Sequence, residues 1–205
     1  MRLIIFGTGG QGREALRIAR QSYSEIVFCQ DMPSGPVLGV PVLAPKDIRD
    51  DDQLLVAIGN SATRKAIIAR FPHLALASVF AATSIVGDDV EIGPGALFCD
   101  HTLVTTSARI GRNFHCNVYS YVAHDCIIGD DVTFGPRVNC NGNVHVGDGA
   151  HIAVGANIRN GTPDRPLLIG EGAFVGMGAV VTKDVPPGSR VAGNPARPLR
   201  SRSAC

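Results

Sequence analysis

The chain has 205 residues, 24 of them glycine, and its 19 Lys and Arg against 18 Asp and Glu give a formal net charge of +1. A charge so close to zero argues against binding to nucleic acid or an anionic membrane through a general positive field. The apolar stretch nearest the N-terminus, Leu3–Phe6, is too short for a membrane span or a secretory signal. We therefore expect a soluble cytoplasmic protein with no membrane span and no nucleic-acid partner.

The six cysteines contain no Cys-x-x-Cys pair, so the sequence indicates neither a zinc site nor a disulfide framework. We interpret them as small buried residues that fill a core. They are Cys29, Cys99, Cys116, Cys126, Cys140 and Cys205.

The first part of the chain alternates strand-like and helix-like segments. Apolar runs at Leu3–Phe6, Ile26–Cys29 and Leu54–Ile58 alternate with helical patterns from about Gln11 to Gln21 and from about Ala62 to Phe71. Strands that alternate with helices pack as a parallel sheet. Residues 1–80 are therefore predicted to form a small α/β domain of the Rossmann type.

A glycine-rich turn follows the first strand. Gly7, Gly9 and Gly12 of the segment GTGGQG fit the pattern G-x-G-x-x-G, and Asp31 follows the second strand. Glycines let the backbone approach a ligand closely, and the first N–H groups of the helix can bind a phosphate. A region this short has no room for the second half of a dinucleotide-binding fold, which argues against hydride chemistry. A turn that serves only tight packing and a turn that binds a nucleotide-sugar both fit, and we favour the nucleotide-sugar.

From Val86 onward the sequence follows a different rule, because every sixth residue is apolar. The positions are Val86, Ile92, Phe98, Val104, Ile110, Cys116, Val122, Ile128, Phe134, Cys140, Val146, Ile152 and Ile158. Such a hexapeptide repeat is the signature of a parallel β-helix, whose stacked coils bury one ladder of side chains per face. We expect an all-β, left-handed parallel β-helix over residues 81–205. The repeat slips after Ile158, where the segment GTPDRP predicts a longer loop before Ile169.

Histidines on a β-helix raise the alternative of a zinc enzyme similar to the γ-type carbonic anhydrases. Those enzymes use two histidines separated by four residues, and no histidine pair here has this spacing. His115 and His151 fall in one column of the repeat, but Thr133 lies between them. We therefore predict that the protein has no catalytic metal.

His124 stands in the segment SYVAHDC, and the same place on the next coil is occupied by Gly142. Stacked strands lie about 4.8 Å apart, so a backbone N–H without a side chain should lie beside the imidazole. The imidazole can accept a proton near neutral pH, and the N–H can stabilise an oxyanion. Asp125 can orient the ring. The alternative is an exposed histidine at a corner of the repeat, without a catalytic role.

The whole chain resembles the NeuD/PglD-like sugar acyltransferases, bacterial trimeric enzymes in which a small nucleotide-sugar-binding domain precedes a left-handed β-helix. The resemblance rests on the segments GTGGQG, AIGNSATRK, NVYSYVAHDCIIGDD, NCNGNVHVG and RVAGNPARPL. It implies a homotrimer, acetyl-CoA as cosubstrate and a nucleotide-activated amino-sugar as acceptor.

The resemblance also implies roles for matching positions. His124 matches the catalytic base, and Asp125 matches an acidic residue that strengthens it. Gly142, Val154 and Met177 would contact acetyl-CoA in a groove between two subunits. The implied contacts of the nucleotide-sugar on the α/β domain are Gly9, Gly10, Gln11, Gln30, Asp31, Gly59 and Ala62. Asn117 matches an asparagine near the active site and is also assigned to substrate binding. The sequence departs from some members at Thr133, where they carry a second histidine.

The predicted reaction is transfer of acetyl from acetyl-CoA to the amino group of a UDP-, dTDP- or GDP-linked amino-sugar by direct attack. Two alternatives stay open. The first is O-acetylation of a sugar hydroxyl, for instance on a sialic acid or a polysaccharide precursor. The second is a non-catalytic trimeric scaffold that has kept the sugar pocket.

Overall fold

The N-terminal part of the protein is a five-stranded parallel sheet with two helices, as a computed structural model describing residues 1–33 and 35–199 shows. The strands are β1 Leu3–Phe6, β2 Ile26–Cys29, β3 Val42–Leu43, β4 Gln53–Val56 and β5 Ala75–Leu76. Their order in the sheet is β3-β2-β1-β4-β5. The helices are α1 Gly10–Ala19 and α2 Ser61–Ile68, and a short 3-10 helix spans Pro45–Asp47. The predicted α/β class is confirmed.

The central strands are buried on both sides, which is why they read as continuous apolar runs. All four residues of β1 are buried, and α1 turns Leu16 and Ile18 toward the sheet. The edge strands β3 and β5 have two residues each, too few to give a periodic signal in the sequence. Helix α2 ends at Ile68, before the predicted Phe71, since Pro72 follows and disfavours helical geometry in the residue before it.

Two glycines of the first turn are required by sterics. Gly7 has a φ of 111°, which favours glycine. A Cβ at Gly12 would lie 1.9 Å from the Gly7 carbonyl oxygen, so α1 can only start this close to β1 without a side chain there. By contrast, a Cβ at Gly9 or Gly10 would meet nothing within 4 Å. Packing therefore explains part of the motif and leaves the tip of the turn open to a ligand.

The second part of the chain is the predicted left-handed parallel β-helix, a triangular prism of stacked coils. Its three faces are named A, B and C in chain order. Face A has the strands Val79–Phe80, Leu97–Phe98, His115–Cys116, Thr133–Phe134, His151–Ile152, Phe174–Val175 and Arg190–Ala192, with Arg197–Pro198 added antiparallel. Face B has Ile85–Val86, Leu103–Val104, Tyr121–Val122, Asn139–Cys140, Asn157–Ile158 and Val180–Val181. Face C has Glu91–Ile92, Arg109–Ile110, Ile127–Ile128, Val144–Val146 and Leu167–Ile169.

The apolar ladder of the hexapeptide repeat fills the prism. Three phenylalanines pack edge to face along the axis, with ring centroids 5.6 Å apart for Phe98 and Phe114 and 5.1 Å apart for Phe114 and Phe134. The five cysteines among the described residues are buried, as expected, and Cys205 lies outside those residues. None of these five forms a disulfide. No helix in the described part of the chain is long and apolar enough to cross a membrane.

The α/β domain packs on the first coils of face A. Leu97 and Val79 of this face are buried in one cluster with Leu16 and Ala19 of α1. The last strand of the first sheet ends at Leu76 and the first strand of the prism begins at Val79. Residues 1–80 and 81–205 remain our proposed domains.

Candidate active site

His124 lies on edge BC, the corner between faces B and C that includes residues 123–126 and 141–143. Its Nδ1 is 2.7 Å from Oδ2 of Asp125, and both side chains are about half exposed. A carboxylate only accepts hydrogen bonds, so Nδ1 carries the proton and Nε2 holds the free lone pair. No hydrogen bond to Nε2 occurs among the described residues. The pair therefore presents an oriented base to an incoming nucleophile.

The backbone at the corner explains how Asp125 reaches its neighbour. Asp125 has a φ of 59°, in the left-handed region that Asp and Asn adopt more readily than most residues. Its N–H donates to the carbonyl of Thr106 on the preceding coil over 3.3 Å. The turn and the stacking together aim the carboxylate back at the imidazole.

Gly142 lies directly against the His124 ring, on the next coil. A Cβ added there would be 2.4 Å from Cε1 and 2.5 Å from Nε2, so the imidazole occupies the space that a side chain would need. The neighbouring Asn143 N–H donates to the His124 carbonyl over 3.0 Å, which fixes the stacking. The Gly142 N–H donates to no group among the described residues. A free amide beside a base is the arrangement predicted for oxyanion stabilisation.

The turns predicted to bind the nucleotide-sugar lie together at the α/β domain. A Cβ at Gly59 would lie 3.4 Å from Oε1 of Gln11, so the turns after β1 and β4 are neighbours. Thr8 Oγ1 donates to Oε1 of Gln30 over 2.7 Å, which ties the residue after β2 to the first turn. Gly9 and the adjoining Gly10 are exposed at the tip. These residues form one continuous rim at the carboxyl ends of the strands, where ligands of such sheets bind.

Asp31 and Ala62, the other two residues of the α/β domain predicted to contact the nucleotide-sugar, have different surroundings. Asp31 is exposed, and its carboxylate accepts two hydrogen bonds from Arg70 at 2.6 and 3.2 Å. This pairing lowers the pKa of the Asp31 carboxyl. Ala62 lies in the first turn of α2, in a cavity of about 310 Å³ against the β-helix.

The turns after β1 and β4, which are predicted to bind the nucleotide-sugar, are anchored on face A by polar contacts that the sequence did not reveal. Gln11 Nε2 lies 2.7 Å from Nδ1 of His115. Arg64 of α2 is fully buried and donates to the carbonyl oxygens of Ile58 (2.9 Å) and Gly59 (3.2 Å) and to Oγ1 of Thr133 (2.9 Å). Burial lowers the pKa of Arg64 to about 10. The column of His115, Thr133 and His151 was expected. His115 and Thr133 contact the α/β domain, whereas the His151 ring stacks on Phe174 of the same face, with ring centroids 5.4 Å apart.

Asn117, Val154 and Met177 do not lie with His124 in one chain. All three are on edge AB, the corner between faces A and B. Val154 and Met177 occupy matching places on adjacent coils, because His151 and Ile152 pair with Phe174 and Val175. The Asn117 side chain accepts a hydrogen bond from the N–H of Val118 over 2.9 Å. The predicted site is thus divided between two edges that flank face B.

Comparison with known proteins decides the family. Residues 2–71 match the family model described as the PglD N-terminal domain. The GDP-perosamine N-acetyltransferase of Escherichia coli O157:H7 is 43% identical over 213 residues, which cover 96% of this chain and 95% of that protein. The chain belongs to the NeuD/PglD-like family of sugar acyltransferases.

Solved structures of similar proteins cover both parts of this acyltransferase. WeeI from Acinetobacter baumannii AYE superposes with a TM-score of 0.91 at 44% identity, covering 97% of this chain and 100% of that one. The acetyltransferase domain of PglB from Neisseria gonorrhoeae FA1090, in complex with acetyl coenzyme A, gives 0.90 at 29% identity, covering 97% and 98%. The predicted family and fold class are therefore confirmed.

No group of three or more His, Cys, Asp or Glu in the described part of the chain could hold a metal ion. Cys126, two residues after His124, is fully buried, and its Sγ lies 3.1 Å from the Asn141 carbonyl oxygen. Its sulfur therefore points away from the exposed face of the imidazole.

Gly142→Ala should lower kcat by about 10- to 100-fold, because a displacement of a catalytic group by about 1 Å can slow a reaction by about 100-fold. The new Cβ would push the ring of His124 aside. Since the ring is the free end of a side chain, the free energy of unfolding should change little. Steady-state kinetics and urea titration of the same variant test both statements. A variant with full kcat would show that the ring position observed here is not the catalytic one.

The fold should lose stability below about pH 6.5. Burial, helped by the charge of Arg64, holds the pKa of His115 well below its usual range, and burial also lowers that of His151. Both rings stay neutral in the fold while the unfolded chain gains protons, so stability falls as pH drops below the unfolded value. Each histidine contributes up to about 1.4 kcal/mol per pH unit. Urea titrations at several values from pH 7.5 to 5 measure this loss. The free energy of unfolding should fall less steeply with decreasing pH in His115→Gln than in the wild type, and an equal pH dependence would contradict this assignment.

Proposed function

We propose that the protein transfers the acetyl group of acetyl-CoA to the amino group of a GDP-linked amino-sugar, with GDP-perosamine as the first candidate. The Escherichia coli relative, similar over nearly its whole length, is a GDP-perosamine N-acetyltransferase. The relatives bear out the predicted enzyme class and donor, an acetyl-CoA-dependent sugar N-acetyltransferase. The observation that carries the proposal is the stacking of His124, already paired with Asp125, on the free N–H of Gly142.

In the proposed reaction the sugar amine attacks the thioester carbonyl directly. Nε2 of His124 removes a proton from the amine as the C–N bond forms. The Gly142 N–H donates to the oxyanion of the tetrahedral intermediate. When the C–S bond breaks, the imidazolium returns the proton to the leaving thiolate of CoA. Asp125 stabilises the imidazolium between these steps.

The site also gives a reason for assembly. Face A is covered in its first coils by the α/β domain. Face C exposes the charged Glu91 and Arg109 beside the apolar Ile127, whereas face B exposes Ile85 and no charged strand residue among the described residues. If three copies pack with face B toward a common axis, rotation places edge AB of one copy beside edge BC of the next. Val154 and Met177 of one copy would then face His124 of its neighbour. We propose a homotrimer with one acetyl-CoA groove at each junction.

The other predicted roles follow from position. Gly9, Gly10, Gln11, Gln30 and Gly59 would contact the nucleotide-sugar, and the first N–H groups of α1 suit its diphosphate. For Asp31 and Ala62 we keep the same role, with Asp31 contributing through its paired carboxylate. We place Asn117 near the acceptor at the junction between copies. The cytoplasm, which supplies acetyl-CoA, is the proposed location.

Release of free CoA thiol tests the proposal. Purified protein is given acetyl-CoA with GDP-perosamine, with UDP- and dTDP-linked amino-sugars, and with analogues that carry a hydroxyl in place of the amine. We expect turnover with the GDP-linked amine and none with its hydroxyl analogue. Turnover with hydroxyl acceptors alone would establish O-acetylation instead. Binding of GDP-perosamine without thiol release from any acceptor would mean a scaffold protein.

A further inference from the structure

Three bulky residues on edge AB hold a backbone conformation that such residues rarely adopt. His101, Tyr119 and Arg137 have φ values of 57°, 59° and 57°, and they occupy the same place on three successive coils. All other residues with positive φ in the described part of the β-helix are glycine, asparagine, aspartate or serine. A large side chain strains the left-handed region, and such strain persists mainly where function requires it.

The three side chains form one stack. The rings of His101 and Tyr119 are nearly parallel, with centroids 5.0 Å apart and planes inclined by 15°. The guanidinium carbon of Arg137 lies over the same tyrosine ring, 5.5 Å from its centroid. The Arg137 side chain is exposed, and it makes no hydrogen bond or ion pair with any residue that the structure describes. The stack therefore fixes the plane of a guanidinium whose N–H groups can bind a ligand.

Helix α1 points its N-terminus toward the coil that carries Arg137. Gln11, in the first turn of the helix, contacts His115. Less than two turns later, Arg17 forms an ion pair with Asp100 on the preceding coil. The helix thus runs from later coils to earlier ones, and its first N–H groups face onward along the prism. The positive end of the helix and the free guanidinium lie on the same side of the α/β domain.

The turn after β4 lies close to the same edge. Thr133 Oγ1 donates to the carbonyl oxygen of Gly59 over 3.4 Å, and Arg137 follows Thr133 by four residues. Strands advance about 3.3 Å per residue, so the Cα atoms of Thr133 and Arg137 are at most about 13 Å apart. A substrate that extends from the rim of one copy to His124 of the next must cross edge AB here.

We propose that Arg137, held in place by Tyr119, binds the diphosphate of the nucleotide-sugar where this substrate crosses edge AB. The inference rests on the proposed function, which places the nucleoside on the α/β domain and the sugar at the base of the next copy. The diphosphate joins these two parts of the substrate. A guanidinium binds phosphate oxygens through two parallel N–H groups, so the plane that the ring imposes matters. Tyr119 is a positioning residue, which explains why its strained backbone is retained.

Asparagine variants separate strain from binding, because asparagine tolerates the left-handed region and carries neither ring nor charge. Calorimetry is done with the nucleoside diphosphate among GDP, UDP and dTDP that the wild type binds most tightly, and with the matching nucleoside. We expect the Kd for the diphosphate to rise about tenfold in Arg137→Asn and about fivefold in Tyr119→Asn. The Kd for the nucleoside should stay within twofold. The melting temperature of both variants should equal or exceed that of the wild type, since the strain is relieved.

Two further variants are controls. Tyr119→Phe keeps the ring under the guanidinium, so its Kd for the diphosphate should match that of the wild type. Leu38→Asn relieves the same kind of strain at an exposed residue of the α/β domain, where φ is 49°. It should not lower the melting temperature, and it should leave the Kd unchanged. In thiol-release kinetics, the loss of kcat/KM in Arg137→Asn should come mainly from the KM for the nucleotide-sugar, with the KM for acetyl-CoA unchanged.

Each other outcome overturns the assignment. Unchanged binding of the diphosphate by Arg137→Asn would remove this residue from the substrate site. A lower melting temperature together with weaker binding of the nucleoside would mean that the stack only supports the fold. If the wild type bound none of the three diphosphates, this inference and the proposed function would both fail. If it bound one but released no thiol with any acceptor, only the proposed function would fail, and calorimetry on the same variants would still decide the role of Arg137.

Discussion

We expect His124→Ala to lower kcat for acetyl transfer by about 1,000-fold, while the oligomeric state and the free energy of unfolding stay as in the wild type. General-base catalysis by a positioned side chain contributes about 100- to 10,000-fold, and here the base has its tautomer set by Asp125. The imidazole is half exposed, so its removal leaves no cavity in the core. Thiol-release kinetics and urea titration measure the two quantities.

The matched control is His73→Ala, which removes a half-exposed histidine of the α/β domain that lies 3.7 Å from Asp50. This variant should keep its full kcat. In a third variant, Asp125→Asn, the new residue also tolerates the left-handed backbone, so that only the negative charge is lost. Its kcat should fall by about tenfold, because the charge no longer stabilises the imidazolium. Near-normal turnover by His124→Ala would remove this residue from the mechanism.

Arg64→Met is expected to reduce the free energy of unfolding by about 4 kcal/mol and the melting temperature by about 10 °C. The substitution leaves several acceptors without the guanidinium donor, among them the buried Oγ1 of Thr133 and carbonyl oxygen of Asn113 and the part-buried carbonyl oxygen of Asp131. Each unpaired buried group costs about 1–3 kcal/mol, which relief of the buried charge only partly offsets. The KM for the nucleotide-sugar should also rise, because Gly59 loses its anchor.

Arg17→Met is the matched control for this experiment. Arg17 also joins the two parts of the chain, through an ion pair with Asp100, but its side chain is 56% exposed. Exposed ion pairs contribute about 0–1 kcal/mol, so the melting temperature should barely move. Equal losses for Arg17→Met and Arg64→Met would show that burial of the guanidinium is not what stabilises the junction.

The sequence was sufficient to predict the β-helix and the position of Gly142 beside the proposed catalytic base, His124. Because inward positions recur every sixth residue, the stacking of Gly142 on His124 follows from counting along the chain. The same counting separates Val154 from Gly142, since two hexads carry the chain from edge BC to edge AB. The family resemblance is consistent with this separation, because it implies that these residues contact acetyl-CoA in a groove between two subunits.

Contacts between the two parts of the chain could not be predicted in this way. Arg64 and Thr133 are 69 positions apart, and Gln11 and His115 are 104 apart. No periodicity relates a helix of the α/β domain to a column of the β-helix. The way the α/β domain packs on the β-helix depends on the shape of the two surfaces and on burial of Leu97. From the sequence alone, Arg64 of α2 therefore cannot be told from a cation on an exposed helix surface.

The division of the proposed site between edges AB and BC has a genetic consequence. In the proposed trimer, a copy that lacks its imidazole would still offer an intact Val154 and Met177 to the neighbour on one side. A copy damaged at Met177 would still offer its imidazole on the other side. Two inactive forms of the protein, mixed in one ring, would rebuild some complete junctions. Complementation between alleles, rather than dominance of the defective one, is what this layout predicts in a cell that expresses both.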